Sequence, residues 1–269
     1  MLRAFADLPG RQVHYRHAGS GGVPVLLLHG SPGSARQLDR LGDLLSPGRR
    51  IIAPDRPGNG DSPALPLAQP EIADYARADV DFLDALDIPL VDVYGSHTGA
   101  NVAAELAIAA PTRVRRIILD GIGLFSREQV EDYLQHYTPR MEADLSGAYL
   151  TRAFQFCRDQ VLFFPWFAPT TQNARSLGLP PPAALHALVL EVLKSLTTYH
   201  LGYDASFRYD PRPRLPLLTQ PVLAICANDD PLNPYLPEAL RLIPHASTHP
   251  FASLRDTESL ANIMEKFLP

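Results

Sequence analysis

One run constrains this chain more than any other: Val91-Asp92-Val93-Tyr94-Gly95-Ser96-His97-Thr98-Gly99-Ala100. An apolar, strand-like stretch enters a small-x-x-x-small pattern and leaves it as helix-forming sequence. That layout suits a strand turning sharply into a helix, with the residue at the tip held in a strained backbone conformation and its side chain exposed. The residues two before and two after the tip lie against the strand and the helix, so they must be small. Gly95 and Gly99 meet that demand if His97 is the tip. With Ser96 at the tip, the flanks would be Tyr94 and Thr98, both too bulky, so the register favours His97. A plain strand–glycine–helix junction with a satisfied histidine has the same short pattern, and the neighbouring motifs decide between the two.

Strand and helix patterns alternate around this run. Residues 12–17 alternate and predict an edge strand; 23–28 form a continuous apolar run ending in His29-Gly30, as a buried parallel strand does. Helical spacing over 34–45, a short strand over 50–53 and an amphipathic helix over 72–86 follow. Next come a strand over 90–94, a helix over 100–109 and a strand over 116–119. The pattern predicts an α/β fold with a doubly wound, mostly parallel sheet. The alternation then stops. Helices are expected over 126–137, 147–161 and 183–203, before strand periodicity returns over 222–226 and a last helix over 257–267. The expected division is a core of residues 1–122 and 216–269, interrupted by a helical cap over 123–215. That insert is rich in aromatics, including Phe154, Phe156, Phe163, Phe164, Trp166, Phe167, Tyr199 and Tyr203. Some would form its own small core and others the wall of an apolar pocket, with Trp166 the chosen substrate-wall residue.

The 269 residues carry a net charge of −5, and the arginines are scattered. No basic run is present to track a phosphate backbone, which argues against a nucleic-acid partner. No apolar stretch is long enough to cross a bilayer and the first residues lack a signal-peptide core, so the expectation is a cytoplasmic protein without a membrane partner. Cys157 and Cys226, the two cysteines, have neither metal nor redox spacing and predict reduced, buried thiols. No cofactor motif and no metal-spaced cluster occurs. The expected partner is a small-molecule substrate, and oligomeric state is left open.

Parallel α/β sheets place ligands beyond the carboxyl ends of their strands. At those ends stand His29-Gly30-Ser31-Pro32-Gly33-Ser34, Asp55-Arg56-Pro57-Gly58-Asn59-Gly60-Asp61-Ser62, the Gly95–Gly99 run, Asp120-Gly121 and Asn228-Asp229-Asp230-Pro231, with Thr248-His249-Pro250 near the end of the chain. In this order, and over nearly the whole chain, they resemble the α/β-hydrolase-fold superfamily with a helical cap. The resemblance implies an oxyanion hole from the amides of Ser31 and Thr98, a triad acid at Asp230 with Asp229 as its neighbouring rival, and a late catalytic histidine at His249 with His245 behind it. Asp120 falls at the family's alternative acid position, though a turn-capping role before Gly121 is the plainer reading. Asp55 reads as a turn organiser. Arg158, Tyr199, His200 and Tyr203 are polar groups of the insert without an assigned task, and the run Arg158-Asp159-Gln160 reads as an exposed or paired helix face.

His97 is where the chain departs from that family, because it stands at the nucleophile position. A hydroxyl needs a base to attack, whereas imidazole, with a pKa of about 6.5, is already substantially neutral at pH 7. Three uses follow: direct attack to give an acyl-imidazole, general acid–base catalysis paired with His249, or a blocked nucleophile in a ligand-binding protein. The second needs no labile covalent intermediate and uses the oxyanion hole unchanged. The expectation is thus an enzyme for a small, partly apolar ester, lactone or diketone, acting by hydrolysis or by C–C cleavage, decarboxylation or cyclisation. His97 and His249 would handle protons and Asp230 would orient His249. A non-catalytic binding protein on the same fold is the alternative.

Overall fold

Short apolar runs make the centre of the sheet. In the computed structural model, which describes residues 1–268, β3 (Val25–Leu28), β4 (Ile51–Pro54) and β7 (Val222–Ile225) are buried along their whole length. Helices on both faces leave such strands no polar side. β5 (Val91–Ser96) and β6 (Val114–Asp120) complete the parallel part, and β1 (Leu2–Leu8) and β2 (Arg11–Ala18) add an antiparallel hairpin. The order across the sheet is β1-β2-β4-β3-β5-β6-β7. Residues 12–17 do form a strand, but not at the edge: β2 pairs with β1 on one side and β4 on the other. The edge is β1, which shows no clean alternation because Leu2 and Phe5 are exposed and only Ala6 and Leu8 are buried.

Alternate side chains of the central strands sort to opposite faces. Leu26, Leu28, Val93 and Leu119 face a core closed by α2 (Ile72–Ala85), α3 (Thr98–Ala109) and α8 (Leu236–Leu242). Val25, Leu27, Tyr94 and Ile118 face the other core, under α1 (Asp39–Leu45) and α9 (Thr257–Phe267). Full burial of each such aliphatic side chain is worth about 1.5–3 kcal/mol. α2 begins with a capping box in which Glu71 and Asp74 satisfy each other's backbone amides.

Between β6 and β7 the chain leaves the sheet for α4 (Arg127–His136), α5 (Ala148–Leu162), α6 (Pro182–Lys194) and α7 (Tyr199–Arg208). These four helices bury a cluster of their own around Tyr133, Phe156, Val192 and Tyr199. The single helix expected over 183–203 is two. At the break Ser195 donates its hydroxyl to the Glu191 carbonyl, a local bond that competes with the helix ladder. Thr198 donates to the Gly58 carbonyl at 2.7 Å and ties the corner to the sheet domain. Among the described residues no helix is long and apolar enough to cross a membrane.

Candidate active site

β5 delivers His97 to the tip of the turn. Its φ of 50° and ψ of −112° place the strained, left-handed backbone at His97 and not at Ser96. Neither flank tolerates a side chain: a Cβ on Gly95 would lie 2.2 Å from the Gly99 carbonyl oxygen, and one on Gly99 would lie 2.2 Å from that of Leu28. α3 begins at Thr98, whose amide is among the first-turn N–H groups that a helix leaves without an internal acceptor. The positive end of the helix dipole therefore lies beside the imidazole.

The His97 ring lies between two glycines. A Cβ on Gly121 would come within 2.6 Å of its Cδ2, and one on Gly30 within 3.8 Å of its Nδ1. Nε2 lies 2.6 Å from Asp230 Oδ2, and Asp230 Oδ1 accepts the Leu232 amide at 2.8 Å. The Asp230 side chain is inaccessible, while that of His97 is 34% exposed. Burial of Asp230 favours its neutral form, but the charge and hydrogen bond of His97 reverse this and hold the carboxyl below its ordinary 3.8. Burial likewise works against charge on His97, yet the Asp230 carboxylate outweighs it and holds the imidazole above its ordinary 6.5. An ionised carboxylate only accepts hydrogen bonds, so in the neutral ring Nε2 carries the proton and Nδ1 keeps the lone pair. Nδ1 lies toward the Gly30–Ser31 loop.

Asp120 closes the floor. Its carbonyl accepts the His97 amide at 2.8 Å and its carboxyl accepts the Tyr94 hydroxyl at 2.8 Å. Burial pushes this carboxyl up to about 7, with the Tyr94 bond and His97 offsetting part of the effect. Its Oδ1 meets no partner among the described residues. A group raised in this way supports the fold fully below 3.8 and loses that contribution as pH rises through about 7. Asp120→Asn keeps an acceptor for Tyr94 and removes the charge. In thermal melts the variant should gain on the wild type between pH 5 and pH 8, by about 2–4 °C for each kcal/mol recovered. Parallel pH profiles for the two proteins would show that Asp120 ionises without penalty.

His97, Thr98 and Ser31 open onto a cavity of about 240 Å³ between the sheet and the four-helix insert. Its apolar wall comes from Phe125, Tyr137, Phe164, Leu188, Tyr203 and Phe207. Of the polar residues that line it, three keep a buried atom without a partner among the described residues. Asn101 donates to Ser206 and keeps a buried, free Oδ1; Gln160 accepts from the Tyr203 hydroxyl and keeps a buried, free Nε2. Arg175 donates Nη1 to the Gln160 carbonyl, and its buried Nε meets no acceptor among the described residues. Two donors and one acceptor without partners among the described residues thus belong to residues that line an aromatic pocket.

A family model described as the alpha/beta hydrolase fold matches residues 23–252. The chain belongs to the α/β-hydrolase-fold family. It is similar to 2-hydroxy-6-oxononadienedioate/2-hydroxy-6-oxononatrienedioate hydrolase 1 of Dechloromonas aromatica (strain RCB), 27% identical over 89% of this chain and 82% of that protein. It is also similar to 2-hydroxymuconate semialdehyde hydrolase of Pseudomonas sp. (strain CF600), 37% identical over 39% of this chain and 38% of that protein. Several other curated relatives match over less than half of their own length. Among solved structures, the enol-lactonase from Burkholderia xenovorans LB400 superposes with a TM-score of 0.75 and 18% identity, covering 98% of this chain and 99% of that one. At that identity the likeness is one of fold.

Within this family member the sequence-predicted residues do not all meet. His97, Asp230, Ser31 and Thr98 come together; His249 does not join them. The chain makes one parallel bridge to β7, at Ser247 with Leu223, and then leaves the sheet. His249 is exposed, and its Nδ1 lies 2.9 Å from the Pro250 carbonyl. The expectation that Asp230 orients His249 is corrected accordingly, because that carboxylate is engaged by His97. Neither rival takes up the role: Asp229 accepts the Leu254 amide, and His245 bonds the Gln220 carbonyl. Trp166 is also corrected. It packs against Phe156 within the insert and donates its indole N–H to the Tyr137 carbonyl, away from the cavity wall. Arg175 and Asn101 escaped sequence reading, since each is an isolated polar residue without a motif; Gln160, read as part of an exposed or paired helix face, lines the cavity instead.

Cys157 and Cys226 are buried free thiols. Among the described residues, one group has the spacing to hold a metal ion: His14, Asp55 and Asp61. Its donors are already committed. Asp55 accepts from His14, Ala35 and Asp61, organising the turn, and the Asp61 carboxylate accepts the Lys194 ammonium at 2.8 Å. The group therefore works as a junction between the sheet domain and α6, and the resident ammonium opposes a second cation.

Proposed function

We propose that this protein is an enzyme acting on a small, partly apolar carbonyl compound, an ester, lactone or diketone that also bears a carboxylate. The observation that carries this reading is the 2.6 Å pair of His97 and Asp230 at the turn, with the imidazole opening onto the cavity. His97 acts as base and then acid. A water oxygen bonds to the carbonyl carbon while its proton passes to Nδ1, and Asp230 stabilises the resulting imidazolium. The negative charge gathers on the carbonyl oxygen, facing the amides of Ser31 and Thr98, donors of a kind worth on the order of 3 kcal/mol each. Collapse breaks the C–O or C–C bond, and Nδ1 returns the proton to the departing atom. The same groups serve a non-hydrolytic reaction when the proton comes from a substrate C–H or O–H. The helical insert acts as the cap over this chemistry.

Arg175 and Gln160 support the carboxylate. Both residues line the cavity and each keeps a donor without a partner among the described residues, and the relatives named above are named for dienedioate and semialdehyde substrates. The test is steady-state turnover of matched esters, lactones and diketones with and without a carboxylate. Arg175→Gln should raise KM for the acids by about ten- to a hundred-fold, the worth of a charged hydrogen bond, and leave neutral analogues nearly unchanged. Equal losses on both series would remove the carboxylate from the assignment. Ligand-induced thermal stabilisation without turnover across the panel would replace the enzyme with a binding protein.

A further inference from the structure

Behind the Ser31 loop lies a charge for which the reading above has no use. Arg56 is fully buried, with 0% of its surface exposed. Its backbone amide is pinned to His29 Nε2 at 3.0 Å, and its guanidinium donates Nη2 to Ser31 Oγ at 3.0 Å. Nε and Nη1 meet no acceptor among the described residues. The guanidinium lies over the Tyr75 ring, 5.9 Å from its centroid. The nearby Asp79 is itself buried, and burial pushes its carboxyl up to about 7, so it is a weak counter-charge. An enclosed cation with so little compensation costs stability. α7 packs over the pair at Gly202, where a Cβ would lie 3.2 Å from Ser31 Oγ and 3.9 Å from the guanidinium nitrogens.

A serine hydroxyl has one proton to donate and two lone pairs. Arg56 occupies a lone pair, so the proton remains free, and Ser31 lines the cavity beside His97 and Thr98. We propose that the Ser31 hydroxyl is a third donor to the anionic oxygen of the substrate, strengthened by Arg56 as a positioning residue that acts only through it. This rests on the carbonyl chemistry proposed above. It also distinguishes Ser31 from a donor that contributes only its amide, because the hydroxyl's acidity is set by a cation sealed from solvent.

The test reads anion binding directly and needs no turnover. 4-Nitrophenol reports its ionisation by absorbance, and its phenolate oxygen mimics the developing oxyanion. Bound to the wild-type protein, it should ionise at lower pH than in free solution. Ser31→Ala and Arg56→Met should each weaken phenolate binding by roughly ten- to a hundred-fold, with little effect on neutral phenol. The double variant should lose no more than the larger single loss, because the two residues form one unit. Thermal melts of Arg56→Met should stay at or above the wild-type value, since a buried charge is removed; if that variant fails to fold, Arg56→Lys keeps the charge but shortens its reach and should show the same loss. Additive losses, unchanged phenolate binding in the variants, or no binding to the wild type would overturn the proposal. Turnover with no such phenolate effect would leave the His97 mechanism standing without it, and the phenolate effect without turnover would do the reverse.

Discussion

Replacing His97 with alanine should lower kcat by about 10²–10⁴-fold, the range that positioned acid–base catalysis supplies. The imidazole is the group at the turn that opens onto the cavity, and Asp230 reaches the reaction through it. His97→Ser supplies a sharper version of the test. It restores a hydroxyl at the nucleophile position, yet no imidazole stands opposite to take its proton, because His249 is exposed and held against Pro250. The serine variant should therefore remain as slow as the alanine variant and resist labelling by a fluorophosphonate. His249→Ala should retain close to wild-type turnover. Intact activity in His97→Ala would reduce the turn histidine to a structural residue, and fluorophosphonate labelling of the wild type at Ser96 would move the chemistry one residue back. Mass spectrometry of protein quenched during turnover separates the two uses of the imidazole: a covalent acyl adduct on His97 would replace base catalysis with nucleophilic attack.

Asp230→Asn should be nearly as damaging, and its pH profile identifies the cause. Asp230 holds the His97 imidazolium above the ordinary 6.5, so the acid limb of kcat/KM in the wild type should lie above that value. The asparagine variant removes the larger raising charge, leaving the smaller one of Asp120 against burial, which acts the other way. Its acid limb should shift to lower pH while its plateau falls by about 10²-fold or more, since a neutral amide stabilises the imidazolium poorly. A lower plateau with an unmoved limb would mean that Asp230 positions the ring without setting its charge. The same pair bears on stability. His97, raised, contributes fully below 6.5 and loses that contribution as pH rises through its folded value; Asp230, lowered, contributes fully above 3.8 and loses it as pH falls through its own. The stability lost in Asp230→Asn should thus be greatest between those values and shrink toward either extreme.

Most of the sheet was legible because its signals are local. The runs 23–28, 50–53 and 222–226 are apolar on both faces, and a parallel strand between two helical layers requires that. α9 matched its expected span because a strongly amphipathic run follows a capping aspartate, Asp256. Elements without such signals escaped. β1 keeps exposed hydrophobics at the sheet edge, and the break between α6 and α7 is held by side-chain bonds from Ser195 and Thr198, the second to a carbonyl in a distant loop.

The site divides in the same way. By itself the sequence determined the register of the turn, since the steric demand for Gly95 and Gly99 acts over a few bonds, and it placed Ser31, Thr98 and Asp230 at the ends of strands. Only the tertiary structure decided how those ends are wired. Motif order alone assigns Asp230 to His249, nineteen positions or so along the chain, whereas packing joins it to His97 across a separation of 133 residues. The reason is geometric. A carboxylate bonds whichever imidazole is delivered within about 3 Å, and that depends on where the chain leaves β7 after Ser247 and on Gly121, which leaves room for the His97 ring.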